Sequence, residues 1–348
     1  MKIENSDTEK EVLVIAEIGN NHEGSYALAE EMIGLAAEAG VGAVKFQTFR
    51  TEYYVSRKDE KRFNKLKSFE LKYEEFEKLS KVAKTAGILF LSTPFDLESA
   101  KFLNNIVSAF KISSGDNNFY PLIATVAQTG KPILMSTGLA DLELIRYSKS
   151  LIERIWNEAK IVQDTAILHC VTSYPVAPED ANLAMISHLK RELKCTIGYS
   201  DHTVGIEASA LSVALGAEII EKHFTIDKNY SDFRDHQLSA DPKEMTALVQ
   251  KVRRISTLLG KEEIVPQDRE RDSVKLLRRS IVASRDLPEG AVIELADITW
   301  VRPECGLPPG SEHLVLGRSL TRSIQMGEPI TLEILLSIEA DENSCSNY

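Results

Sequence analysis

Lysine and serine side chains recur in this sequence within or just after short apolar runs. Lys45 and Lys111 lie in two such runs, and Ser114, Ser136 and Ser200 end or closely follow such runs. Ammonium groups supply positive charge, and hydroxyl groups supply hydrogen bonds to anionic oxygens. The residue types therefore predict a binding site for a small phosphorylated or carboxylated substrate.

Histidines and carboxylates occupy equivalent places in other runs. His202 and His223 closely follow neighbouring runs, so their imidazoles are expected to converge on one divalent ion whose shell is completed by water. Glu17, Asp116 and Asp235 are carboxylates available for acid–base catalysis or for binding a substrate hydroxyl. These residues therefore predict a reaction between an anionic substrate and a second substrate that a metal ion activates.

The elements that must position these side chains are eight strand-length apolar runs in the first 260 residues. The runs cover residues 12–17, 43–47, 88–92, 109–112, 132–136, 165–169, 195–199 and 218–222. Several are too apolar for a sheet with one face in water, which indicates parallel strands buried on both sides. Helical patterns such as 26–39 and 74–86 lie between them, and a further one, 242–259, follows the last run. Gly40, Gly87, Gly130 and Gly216 stand where a helix is expected to end in a left-handed residue.

This rhythm predicts an α/β fold, a (β/α)8 TIM barrel. The alternative is an open, doubly wound sheet, which usually carries GxGxxG after its first strand, whereas this sequence has GNNHEG there. A barrel builds its active site at the C-terminal ends of its strands. Lys45 and Gln47 share one face because side chains two apart on a strand point the same way.

Charge and composition limit the class of protein. The 348 residues include 41 Lys+Arg and 52 Asp+Glu, for a formal net charge of -11. This balance argues against broad nucleic-acid binding, and no apolar run reaches the roughly 18 residues that span a bilayer. The polar start, MKIENSDTEKE, resembles neither a signal peptide nor a transit peptide, so a cytoplasmic location is expected. The cysteines have no CxxC spacing and are expected to be reduced thiols, with Cys170 buried and inert.

The character of the sequence changes near residue 261. The predicted organisation is a barrel at 1–260, a charged linker at 261–279, a small β-rich domain at 280–338 and a polar tail at 339–348. Within the small domain, DLPEG and QMGEP are predicted to form turns that reverse the chain.

The motifs at the predicted strand ends resemble those of the sialic acid synthase (NeuB) family. They are AEIGNNHEG at 16–24, KFQT at 45–48, LSTPFD at 91–96, FKISSGDNNFYPL at 110–122, KPILMSTG at 131–138, LHCVTSYPVAPEDANL at 168–183, IGYSDHT at 197–203 and EKHFT at 221–225. The last part, with RSIVASRDLPEG, VRPECGLPPG and IQMGEPI, resembles the antifreeze-like (SAF) domain of that family.

This resemblance implies a metal-dependent condensation of phosphoenolpyruvate with an N-acylated mannosamine-type sugar, releasing phosphate by C–O cleavage. It implies one Mn²⁺ or Mg²⁺ ion on His202 and His223. It assigns Glu17, Asp116 and Lys111 to catalysis. Phosphoenolpyruvate is expected on Lys45, Lys111, Ser114, Ser136 and Ser200, and the sugar on Gln47, Thr93, Tyr174 and Asp235.

The resemblance also implies a domain-swapped homodimer. The C-terminal domain of one subunit is expected to close the barrel mouth of the other and to bring Arg302 to the acyl group of the sugar. Departures from the family pattern concern the sugar pocket: SDFRDH at 231–236, which contains Asp235, Thr172 in place of an asparagine, and Asp116 in place of a glutamate. N-acetylmannosamine is the expected substrate, and a 2,4-diacetamido-2,4,6-trideoxy hexose leading to legionaminic or pseudaminic acid is the alternative.

Two other functional classes are compatible with parts of the sequence. A class I aldolase would use Lys111 or Lys45 as a Schiff base, which requires a desolvated lysine and no metal. A non-catalytic sugar-binding protein would suit the C-terminal domain, but it leaves the lysines and histidines of the barrel unexplained.

Overall fold

The computed structural model describes residues 1–336. The chain divides into one unit at Met1–Gly260 and a second that begins at Lys261. The predicted polar tail and the last two residues of the predicted small domain lie outside the described residues. No helix within residues 1–336 is both long and apolar enough to cross a membrane.

A closed barrel of parallel strands forms the first unit. A short antiparallel hairpin, β1 (Lys2–Ile3) and β2 (Ser6–Asp7), precedes it. The barrel strands are β3 (Leu13–Gly19), β4 (Ala43–Thr48), β5 (Leu89–Pro94), β6 (Ala109–Ile112), β7 (Ile133–Ser136), β8 (Thr165–Cys170), β9 (Thr196–Asp201) and β10 (Ile219–His223). They pair in chain order and β10 pairs with β3, which closes the barrel. The predicted (β/α)8 barrel is confirmed, and the open sheet is wrong.

Helices surround the strands. They are α1 (Tyr26–Glu38), α2 (Thr51–Tyr54), α3 (Glu60–Phe69), α4 (Tyr73–Thr85), α5 (Leu97–Leu103), α6 (Tyr120–Ala127), α7 (Leu142–Ala159), α8 (Ala184–Leu193), α9 (Glu207–Ala214), α10 (Arg234–Leu238) and α11 (Pro242–Leu259). The side chains of Asp96, Asp141 and Asp241 accept backbone N–H groups at the starts of α5, α7 and α11, as N-caps do. All four glycines predicted to end helices have positive φ.

Apolar side chains fill the N-terminal half of the barrel. Leu91, Leu134, Leu168 and Ile219 are fully buried inside it. Ile3 of the N-terminal hairpin joins the same cluster and is also fully buried, so the hairpin covers this end of the barrel. The interior at the opposite, C-terminal end is left to polar side chains.

The second unit has a small apolar core of its own. Strands β11 (Ser280–Ala283) and β12 (Ile298–Val301) pair antiparallel, and Ile281, Leu320 and Ile330 are buried in the core. The predicted turns occur at 289–290 and 326–327. The predicted charged linker contains a helix, α12 (Asp268–Leu277), with no buried side chain.

Candidate active site

A cavity of about 890 Å³ opens at the C-terminal ends of the barrel strands. Every predicted site residue of the first unit lines it: Glu17, Lys45, Gln47, Thr93, Lys111, Ser114, Asp116, Ser136, Tyr174, Ser200, His202, His223 and Asp235. Arg302 belongs to the second unit, where its Nε donates to the carbonyl of Leu277 at 2.6 Å.

The two lysines in the cavity are ion-paired. Nζ of Lys45 lies 2.8 Å from Oε2 of Glu17 and 3.8 Å from Oε2 of Glu221. Nζ of Lys111 lies 3.9 Å from Oε1 of Glu221. All four side chains are buried, so the floor of the cavity holds two cations and two carboxylates in a region of low dielectric. Both lysines are therefore ion-paired in this structure.

Burial and neighbouring charges shift the pKa values of Glu17 and Glu221 in opposite directions. Burial raises the pKa of Glu17 and outweighs the opposing attraction of Lys45. Burial also raises the pKa of Glu221, but the attraction of Lys111 and Lys45 outweighs it, so the net shift is downward. Glu221 is consequently the more firmly ionised of the two, and Glu17 is the carboxyl group that more readily carries a proton.

The pKa values of the two lysines are also shifted in opposite directions. The pKa of Lys45 is raised because the attraction of Glu17 and Glu221 outweighs burial, which lowers it. Burial lowers the pKa of Lys111, and the attraction of Glu221 only partly offsets that. Nζ of Lys111 donates to Oγ of Ser136 at 2.6 Å and to the carbonyl of Ile112 at 3.1 Å.

Hydroxyl groups surround the charged floor. Oγ of Ser200 donates to Glu221 at 2.8 Å, and Oγ of Ser114 accepts the N–H of Gly138 at 3.1 Å. A Cβ on Gly138 would lie 2.1 Å from Oγ1 of Thr172 and 2.6 Å from Oγ of Ser114. Position 138 therefore requires glycine, because only glycine lets these hydroxyls approach the backbone.

The predicted metal ligands lie side by side. The ring centroids of His202 and His223 are 5.2 Å apart. Nδ1 of His202 lies 2.9 Å from the carbonyl of Val171, which only accepts, so Nδ1 is the donor in this bond and Nε2 has the lone pair when the imidazole is neutral. Nδ1 of His223 is buried and has no hydrogen-bond partner among the described residues. Both imidazoles thus have a nitrogen available for a metal.

Water or substrate oxygens would have to complete such a metal shell. Within residues 1–336 no group of three or more His, Cys, Asp or Glu side chains is arranged to hold an ion. The arrangement is compatible with a divalent ion that has two protein ligands and open positions, as a catalytic metal needs.

The residues predicted for the sugar fall into two groups. Gln47 donates to Oε1 of Glu17 at 3.1 Å, and Thr93 accepts from Nζ of Lys45 at 3.1 Å, so both belong to the charged floor. Tyr174 and Asp235 lie on the histidine side. The ring of Tyr174 is 4.1 Å from that of His202. Burial raises the pKa of Asp235.

Several cavity residues have no role in the sequence interpretation. Glu221 was detectable by strand alternation, because it lies two residues before His223. Cys170 was expected to be inert and buried; it is buried, but its Sγ lies 3.8 Å from Nδ1 of His202 in the cavity wall.

A cationic and aromatic rim also escaped sequence interpretation. Arg62 and Lys65 line the cavity from α3. The apolar runs that predict the strands could not indicate that this helix reaches the cavity. Arg234 lies 4.6 Å above the ring of Tyr174, and its Nε is 3.2 Å from Asp235.

The predicted catalytic residue Asp116 is also in the cavity wall. Burial raises the pKa of Asp116, whose Oδ2 accepts a hydrogen bond from Ser113 at 2.7 Å.

Several known proteins resemble this chain in sequence, and one of them also in solved structure. The N,N'-diacetyllegionaminic acid synthase of Legionella pneumophila is 37% identical over 92% of this chain and 93% of that protein. The N-acetylneuraminate-9-phosphate synthase of Homo sapiens is 30% identical over 92% of each chain. The crystal structure of the N-acetylneuraminic acid (sialic acid) synthetase from Leptospira borgpetersenii serovar Hardjo-bovis, in complex with citrate, has a TM-score of 0.72. It is 37% identical and covers 76% of this chain and 90% of its own.

Family models agree with these relatives. The model of the NeuB family matches residues 32–264, and the model of the SAF domain matches residues 278–335. The chain therefore belongs to the NeuB family and carries a SAF domain after its barrel.

Proposed function

We propose that this protein condenses phosphoenolpyruvate with the open-chain form of an N-acylated mannosamine-type sugar. The products are a nonulosonic acid and inorganic phosphate. The observation that carries the proposal is the single cavity in which buried lysines, serines and carboxylates adjoin two histidines with available nitrogens. The names of the relatives, which are synthases of such acids, support it.

The charged floor is the proposed phosphoenolpyruvate site. An anion that approaches Lys45 adds negative charge beside Glu17, whose pKa burial has already raised. Its arrival favours protonation of Glu17, which releases Lys45 to pair with the incoming oxygens. Lys111, Ser136 and Ser200 supply further donors to the phosphate and carboxylate groups.

The reaction then requires proton carriers at two points. Carbon 3 of phosphoenolpyruvate forms a bond to the aldehyde carbon, and the aldehyde oxygen gains a proton. Water adds to carbon 2 and loses a proton. The new hydroxyl oxygen then forms the carbonyl of the product as the C–O bond to phosphate breaks, and the phosphate leaves with that electron pair and takes the hydroxyl proton. Glu17 and Asp116 both have pKa values raised by burial, so each is suited to carry one of these protons.

His202 and His223 are the proposed ligands of one Mn²⁺ or Mg²⁺ ion. When bound, such an ion acts as a Lewis acid on an oxygen of the substrate. Tyr174 packs against the His202 ring and limits its rotation.

For the sugar, we propose a 2,4-diacetamido-2,4,6-trideoxy hexose, with N-acetylmannosamine as the second candidate. This reverses the order expected from the sequence. Thr172 lines the cavity, at the position where the family resemblance leads us to expect the asparagine of bacterial sialic acid synthases. The legionaminic acid synthase, at 37% identity, is also more similar in sequence than the human N-acetylneuraminate-9-phosphate synthase, at 30%.

We further propose a cytoplasmic, domain-swapped homodimer in which Arg302 of one subunit reaches the sugar bound by the other. Arg302 is exposed within its own unit, so its guanidinium is accessible to a ligand.

Phosphate release tests the proposal. Chelator-stripped protein receives phosphoenolpyruvate and Mn²⁺ with either sugar in parallel reactions. Metal-dependent release with the diacetamido sugar supports the first candidate, and release only with N-acetylmannosamine supports the second. Absence of release with both contradicts the reaction.

A Schiff-base aldolase remains the second candidate function because burial lowers the pKa of Lys111. Borohydride trapping of a pyruvate adduct on Lys111 would establish it.

A further inference from the structure

A second pair of buried charges lies behind the two histidines, on the outer face of the barrel wall. Asp201 is the residue before His202, and Lys222 is the residue before His223. Both side chains are fully buried, and Nζ of Lys222 lies 3.2 Å from Oδ2 of Asp201. The two residues are register partners in the pairing of β9 with β10.

This pair also holds the turn that follows β9. Oδ1 of Asp201 accepts the N–H of Thr203 at 2.8 Å, and Nζ of Lys222 donates to the carbonyl of Thr203 at 2.5 Å. The backbone on either side of His202 is therefore fixed by the pair. Oδ2 of Asp201 also accepts from Ser209 of α9 at 2.6 Å, which ties the pair to the helix outside the barrel.

We propose that Asp201 and Lys222 are positioning residues that fix the distance and orientation between His202 and His223. Each side chain points away from the cavity, since alternation on a strand places it opposite the neighbouring histidine. The pair acts through the backbone, because moving either strand end would shift one histidine relative to the other. Outer residues that orient metal ligands in this way affect metal affinity without touching the ion. This inference rests on the proposed metal site.

The structure predicts what removing the pair does. A lone Lys222→Met change strands a buried carboxylate and risks unfolding the protein. The double variant Asp201→Asn, Lys222→Met leaves no unpaired charge and keeps an acceptor for the Thr203 N–H. It loses the bond from Lys222 to the Thr203 carbonyl, so the turn after β9 is released while the fold is retained.

The experiment measures Mn²⁺ binding to the full-length protein by the electron paramagnetic resonance signal of free Mn²⁺. We expect the dissociation constant for Mn²⁺ to rise about tenfold or more in the double variant. Phosphoenolpyruvate affinity, measured by calorimetry in chelator, should change less than about twofold. Lys45, Lys111 and Ser136 lie on other strands, and Ser200 lies within β9, before the turn that is released. General loosening of the barrel would weaken both ligands.

The control for loss of an ion pair elsewhere is Lys190→Met, Glu218→Gln. This pair has the same 3.2 Å separation but is partly exposed, and Glu218 lies just before the start of β10, at the end away from His223. It should leave Mn²⁺ binding unchanged. Unchanged Mn²⁺ affinity in the folded Asp201→Asn, Lys222→Met protein overturns the inference. If His202→Ala and His223→Ala also leave Mn²⁺ binding intact, the proposed metal site itself is wrong.

Discussion

Nζ of Lys45 and Oε2 of Glu17 are 2.8 Å apart at the floor of the barrel, and both side chains are almost fully buried. The carboxylate of Glu17 is thus paired with the lysine that a substrate anion would have to bind. The opposing effects of burial and of Lys45 on the pKa of Glu17 make this contact sensitive to any further negative charge.

Replacing Glu17 should separate binding from turnover. In Glu17→Gln the amide cannot carry the proton, so kcat should fall about 100-fold or more. Phosphoenolpyruvate should bind at least as tightly as to the unchanged protein, because Lys45 loses its competing carboxylate. Steady-state kinetics and calorimetry measure the two effects. Glu31→Gln, at an exposed position of α1, is the control. Weaker phosphoenolpyruvate binding in Glu17→Gln would contradict the proposed role of the pair.

Arg302 should affect the sugar more than phosphoenolpyruvate. Arg302→Glu should raise the KM for the sugar about tenfold, because the neutral acyl carbonyl would lose its donor and face a carboxylate, which can only accept hydrogen bonds. Arg279 is a matched control, since it is also exposed and also donates to a backbone carbonyl of the second unit, that of Trp300. Arg279→Glu should leave both KM values unchanged. Equal effects of Arg302→Glu on both substrates would count against the swapped-domain role.

The N-terminal hairpin should contribute to stability and not to catalysis. Ile3 is fully buried against the barrel interior, so Ile3→Ala should lower the free energy of unfolding by about 3 kcal/mol through lost burial and a cavity. Urea unfolding followed by circular dichroism measures this. Lys2→Ala, at an exposed neighbouring position, should change stability little. A loss of stability in Lys2→Ala as large as that in Ile3→Ala would indicate that burial of Ile3 is not the cause.

His22 should make stability depend on pH. Burial lowers its pKa to about 4, from 6.5 in an exposed histidine, and its Nδ1 accepts the N–H of Gly24 at 3.0 Å. In the unfolded chain His22 therefore binds a proton below about pH 6.5, whereas in the folded chain it does so only below about pH 4. Stability falls as the pH decreases through this window, and this group should contribute a loss of about 2 kcal/mol between pH 7.5 and pH 5.

Comparison with a variant isolates this contribution from those of other buried histidines. The free energy of unfolding is measured in urea at both pH values for the unchanged protein and for His22→Gln, and the variant should lose less stability on acidification. His313→Gln, at an exposed position, should behave as the unchanged protein does. Identical pH dependence in His22→Gln and the unchanged protein would refute the prediction.

Local sequence determined the barrel and the positions of its strand ends. Fully apolar runs predict buried parallel strands because a sheet covered on both faces has no wet side. The predicted bounds of α1, α4 and α11 agree with the structure to within one residue, because amphipathic periodicity and flanking glycines are local signals. Since a barrel gathers its strand ends in one place, the same patterns also predicted that Lys111, His202 and His223 line one cavity.

Tertiary structure decided how those side chains are paired. Nothing in the spacing of Lys45 and Glu17 shows that they meet, because contacts across neighbouring strands depend on the register of the closed barrel. The partnership of Asp201 with Lys222 has the same origin in the pairing of β9 with β10. The sequence therefore determined which residues reach the mouth of the barrel. Strand register determined which of them form ion pairs, because register sets the distance between side chains that are far apart in the chain.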